Sequence, residues 1–114
     1  MNKTKIEILG IWYYLGIGFL DKMVKEEGKS LIDLGQTEEI LLISKCVYYS
    51  RAYACERLNL PIDFTPNDIH DYIDDNGGVW GKFFEDFSNA YKIAMSKDVP
   101  EFEEDKKKVT KVEK

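Results

Sequence analysis

The chain has 114 residues, 44% hydrophobic and 13% aromatic, enough for one packed core and too few for several domains. The formal net charge is −5; residues 97–114 hold six lysines against six acids, so the remainder carries the whole excess, 15 acids against 10 bases. An acidic body repels phosphate backbones and disfavours direct nucleic-acid binding, although it leaves room for a small basic patch.

Met1-Asn2-Lys3-Thr4-Lys5 is basic, but the apolar run behind it is broken by Glu7 and Gly10 and lacks a small-residue cleavage site, so no signal peptide is expected. Lys5 to Leu9 alternates as a strand does, and Trp12-Tyr13-Tyr14-Leu15 is aromatic and strand-prone. The two runs around Gly10-Ile11 predict a hairpin. Gly16 and Gly18 then lead into a helix over Phe19 to Glu27, apolar at 19, 20, 23 and 24 and stopped by Gly28.

Lys29 to Gln36 reads as a linker whose Leu31, Ile32 and Leu34 tuck against the core. Thr37 is the predicted cap of a second helix running to about Arg57. That helix is apolar nearly all round, the signature of a central, buried element. Its most apolar window, Ile40 to Cys55, contains Lys45 and Arg51 and is too short to span a bilayer, so no membrane contact is expected and the chain reads as intracellular. After a loop broken by Pro61, Thr65-Pro66-Asn67-Asp68 is a written helix start. The threonine caps, the proline takes the first position, and the aspartate sits three residues past the cap. Ile69, Tyr72 and Ile73 form its apolar stripe, and Gly77-Gly78 ends it.

A last helix from about Val79 has Trp80, Phe83, Phe84, Phe87, Tyr91, Ala94 and Met95 on one face, read as core. Beyond it, Pro100 and dense mixed charge predict a disordered tail. The predicted fold is therefore mainly α: a small helical domain over residues 1–96 with about four helices and a short N-terminal β-hairpin, then a disordered charged C-terminal tail over 97–114.

Catalytic chemistry finds little material. His70 is the only histidine and is flanked by aspartates on a helix surface. Cys46 and Cys55 sit nine residues apart on one helix, roughly 13 Å along its axis and on opposite sides, so they can neither bridge nor join a zinc site and read as buried apolar groups. Placing Gly77 at the sixth position of a calcium loop puts Tyr72 first and Phe83 twelfth, where acids are required. Gly16-Ile17-Gly18 lacks the third glycine of a dinucleotide fingerprint. No catalytic residue, metal or cofactor is predicted. Trp12, Tyr13, Tyr14, Tyr48 and Tyr49 remain as candidate partner-binding residues, because aromatic side chains with polar handles are enriched at interfaces; the competing reading is that they pack the hairpin onto the central helix.

The order of these elements is similar to that of the tail assembly chaperones of long-tailed bacteriophages. Their N-terminal element, roughly apolar-x-apolar-Gly-x-x-Tyr followed by Gly-x-x-x-Leu, is matched by Ile6 to Leu20. Their later Thr-x-x-acid-apolar helix is matched by Thr65 to Asp74, and the resemblance covers about residues 5–95. It implies a non-enzymatic protein of the bacterial cytoplasm that coats the long helical tape measure protein and helps recruit tail tube subunits, with homo-oligomerisation left open. Many such proteins have a frameshifted longer form, and Lys106-Lys107-Lys108 is compatible with a slippery codon run. Two alternatives stand beside it: an interaction module of an unrelated pathway, or a metal-dependent accessory subunit using Asp63, Asp68, Asp71, Asp74 and Asp75. A groove-reading helix at Thr65 to Asp75 is disfavoured, since it has no Lys or Arg.

Overall fold

A computed structural model of the chain describes residues 4–95; the predicted tail lies outside them. Two antiparallel strands, β1 (Lys5–Ile8) and β2 (Ile11–Tyr14), precede five helices: α1 (Ile17–Glu27), α2 (Leu31–Gly35), α3 (Glu39–Arg57), α4 (Pro66–Asp75) and α5 (Lys82–Ala94). A 3-10 helix, Gly78–Trp80, joins the last two. The mainly helical fold with an N-terminal hairpin is the one expected.

The hairpin pairs Lys5 with Tyr14, Ile6 with Tyr13, Glu7 with Trp12 and Ile8 with Ile11. Its loop is Leu9-Gly10, one residue earlier than expected. Both loop residues have positive φ (53° and 80°), as a two-residue type I′ turn demands. Leucine is a poor residue for that conformation, and Leu9 is exposed.

Helix α1 stops as foreseen: Gly28 is left-handed at φ 69°, and its N–H reaches the Val24 carbonyl at 2.9 Å. The expected linker is instead partly helical. Ser30 Oγ accepts the Asp33 N–H at 3.1 Å and caps α2. Only Leu34 of its three apolar residues reaches the core, while Leu31 and Ile32 face outward. Thr37 does not cap α3; its N–H is donated to the Leu34 carbonyl, and Glu38 occupies the cap position without a side-chain bond.

Helix α3 is the axis of the fold and packs on β2, α1, α2, α4 and α5. Ile43, Cys46, Val47, Ala52 and Ala54 are buried along it, but Ile40 and Leu41 at its first turns are exposed, so the described residues do not wholly cover its apolar surface. Ser50 is buried too. Its hydroxyl donates to the Cys46 carbonyl at 2.6 Å, which satisfies it within its own helix. Helix α4 begins with the full reciprocal capping box, Thr65 Oγ1 accepting from Asp68 N at 3.2 Å and Asp68 Oδ2 from Thr65 N at 2.8 Å.

The apolar face of α5 is shorter than predicted. Phe83, Phe84 and Phe87 are buried, and Tyr91, Ala94 and Met95 are half-buried. Trp80 is not on this helix at all and is 92% exposed. The cause is local: Gly81 is extended, and a Cβ there would lie 2.7 Å from Gly77 Cα, so this tight backbone crossing separates Trp80 from α5.

One polar network clamps α1 to α3. The Tyr49 hydroxyl donates to Glu27 Oε2 at 2.7 Å, and Lys45 Nζ to Oε1 at 3.1 Å. The Tyr49 hydroxyl, with help from the lysine, holds the Glu27 carboxyl below its ordinary value of 4.5.

Replacing Leu9 by Asn should raise stability by about 0.5–1 kcal/mol, because asparagine tolerates the left-handed conformation; a urea midpoint unchanged or lowered would contradict the turn assignment. Because the Glu27 carboxyl is depressed in the fold, its contribution is complete above 4.5 and disappears as pH falls through the lower folded value. The stability gap between the parent and Glu27→Gln should accordingly be constant near neutrality and close in acid, as read by denaturation at a series of pH values.

Candidate functional site

The five aromatic residues singled out in the sequence do not form one surface. Tyr13 is fully buried against Phe87 (ring centroids 5.4 Å) and Phe83 (6.2 Å). Tyr49 is buried and spends its hydroxyl on Glu27. Neither has a face to offer a partner. Tyr48 is half-buried, edge-on to both Tyr49 at 5.0 Å and Phe64 at 5.6 Å. Tyr14 stands edge-on to Tyr53 at 6.2 Å, with Lys5 Nζ 5.3 Å from its ring centre. Trp12 is the exposed one, at 44%, and lines a shallow cleft with Ile11, Arg51, Cys55, Leu58 and Leu60. Packing of the hairpin onto the helices therefore accounts for Tyr13 and Tyr14, while Tyr48 and Tyr49 are engaged with each other, Phe64 and Glu27.

The alternation of the strand explains the split. Tyr13 points to the core, so Trp12 and Tyr14 must point away from it. Burial drives the Tyr13 phenol well above its ordinary pKa, and its hydroxyl finds no hydrogen-bond partner among the described residues.

A stronger apolar surface lies between α1 and α2. Ile17, Leu20 and Val24 form one wall, Leu31 and Ile32 the other, with Asp21 and Ser30 at the rim; the groove encloses about 550 Å³. Ile17 is 86% exposed and Ile32 76%. The walls form because α1 turns Phe19 and Met23 inward, which leaves Ile17 off that face, and because α2 is a single capped turn and a half that buries only Leu34. This site escaped the sequence reading. Its signal was the segment 30–35, where a serine three residues before an aspartate marks a helix start and sets Ile32 on a different side from Leu34.

The rim is charged on one side. Asp21 pairs with Lys25 at 3.1 Å, and Lys22 is held between Glu26 and Glu56 at 2.7 Å each, so the lysines of α1 are engaged by the protein's own acids. A second cleft, about 330 Å³, is lined by Ile40, Leu41, Ser44, Lys45, His70, Ile73, Asp74 and Val79. His70 is exposed there, beside Asp74 one helical turn on.

Among the described residues no group of three or more His, Cys, Asp or Glu side chains is placed to hold a metal ion. Asp68 of the acidic segment is committed to the α4 cap. Cys46 and Cys55 are both free; burial pushes the Cys46 thiol up to about 12, far from a reactive thiolate. No helix of the described residues is long and apolar enough to cross a membrane.

Removing the stranded phenolic oxygen should stabilise the core: Tyr13→Phe is expected to gain about 1 kcal/mol in chemical denaturation. A loss of that size would instead mean that the hydroxyl is bonded. No family model, curated protein or solved structure matches this chain.

Proposed function

We propose that the chain is a non-enzymatic protein-binding module of the bacterial cytoplasm, a tail assembly chaperone of a long-tailed phage or prophage. In this reading it seats a helical segment of the tape measure protein in the groove between α1 and α2 and keeps that long client soluble while tail tube subunits are recruited. The observation that carries the proposal is the groove itself. Isoleucines as exposed as Ile17 and Ile32 line one apolar groove with Leu20, Val24 and Leu31, a surface of the kind that binds an amphipathic helix through its apolar face. The acidic excess of the body favours a client helix with basic flanks. The order of motifs, from the hairpin and Gly16-x-Gly18 through the capped Thr65 helix, supports the tail-assembly role specifically.

The test is co-expression with the tape measure protein of a long-tailed phage. The parent chain should keep that protein soluble and co-purify with it. Ile17→Asp combined with Ile32→Asp should weaken the association at least about tenfold, since each isoleucine contributes on the order of 1.5 kcal/mol or more when buried. Both positions are on the surface, so the melting temperature should move little. Undiminished binding by the double variant would refute the groove as the client site.

A further inference from the structure

The hairpin has one open edge. Leu15 N donates to the Thr4 carbonyl at 2.6 Å, and bonded pairs alternate along an antiparallel ladder. Thr4–Leu15, Ile6–Tyr13 and Ile8–Ile11 are therefore the bonded pairs. The peptide groups of Lys5 and Glu7 on β1, and of Trp12 and Tyr14 on β2, point away from the hairpin. Strand β2 runs beside α3, and β1 touches α5. On β1, the N–H and C=O groups of Lys5 and Glu7 meet no hydrogen-bond partner among the described residues, and both side chains are exposed. An edge of this kind is a template for another strand.

We propose that this edge is a self-association site, at which β1 of two copies pairs antiparallel about a two-fold axis through Ile6. The sequence Lys5-Ile6-Glu7 is complementary to itself only in that register. With the axis at Ile6, Lys5 faces Glu7 of the second copy and Glu7 faces its Lys5. Both pairs lie on the solvent side, and both are the positions whose free peptide groups then bond reciprocally. Moving the axis to Lys5 sets two lysines opposite each other, and moving it to Glu7 sets two glutamates opposite each other; each costs like-charge repulsion. At the axis Ile6 meets Ile6 in a close, non-bonded pair on the core side, where it is now only half-buried. The product is a four-stranded sheet with β2 and α3 at each outer side, and the open edge is gone. Four backbone bonds and a short strand make a small interface, so the association is of the weak, concentration-dependent kind.

The experiment is sedimentation equilibrium of the full chain from about 10 μM to 1 mM at low salt, with amide hydrogen exchange over the same range. Dimer should accumulate with concentration, and exchange at Lys5 and Glu7 should slow in parallel, while the already bonded Ile6 and Ile8 amides change less. Glu7→Lys and Lys5→Glu should each weaken self-association about tenfold or more. The two variants mixed should form a heterodimer, and the double exchange Lys5→Glu with Glu7→Lys should restore the homodimer. These are surface positions, so the variants should fold, and the rescue separates pairing from misfolding. A parent chain that stays monomeric throughout, or a dimer indifferent to both single exchanges, would overturn the proposal and leave the edge to a strand of a different protein or to none. The result is independent of the α1–α2 groove, which these substitutions do not touch.

Discussion

The fold depends on a ring cluster that fastens the beginning of the chain to its end. Tyr13 enters from the hairpin and meets Phe83 and Phe87 of α5, and Phe83 in turn stands edge-on to Tyr72 of α4 at 5.2 Å. A two-stranded hairpin is marginal in water on its own. It is ordered here because Tyr13 and Leu15 are sunk among the helices, with Ile43, Val47 and Phe87 completing the same core. The Tyr13 hydroxyl, unbonded among the described residues, is a local cost of using a tyrosine in that position, and burial of the ring outweighs it.

What could be read from the sequence was whatever depended on neighbours in the chain. The Thr65-Pro66-Asn67-Asp68 start, the Gly28 stop and the Phe83–Phe87 face are local signals, and all three are present in the structure. The sequence reading went wrong wherever a residue's environment was set by something distant or by backbone geometry. Trp80 keeps helical spacing with Phe83 and Phe87, yet the Gly77–Gly81 crossing puts it on another element. Ile40 and Leu41 belong to an apolar helix, yet among the described residues its first turns are left exposed. Trp12, Tyr13 and Tyr14 are adjacent and equally aromatic; only the pairing register decides which faces the core.

The same reasoning explains why the α1–α2 groove was hidden. Its residues look like core residues, and short apolar segments between helices usually are. Whether Ile32 packs inward or outward turns on the phase of a five-residue helix that Ser30 starts. Acidic side chains elsewhere serve architecture: Glu27 and Glu56 tie α1 and α3 together, and Asp68 closes the α4 cap. The net negative charge thus has a structural share and a surface share, and only the surface share is available to select a partner.

The joining of Tyr13 to Phe87 also has a consequence for biosynthesis. The rings that hold the hairpin lie some seventy residues downstream of it, so the core cannot close while the ribosome is still making the fourth helix. Until α5 emerges from the exit tunnel, the side of Tyr13 that meets Phe83 and Phe87 lacks its cover. For that interval the polypeptide resembles the kind of client it is proposed to protect.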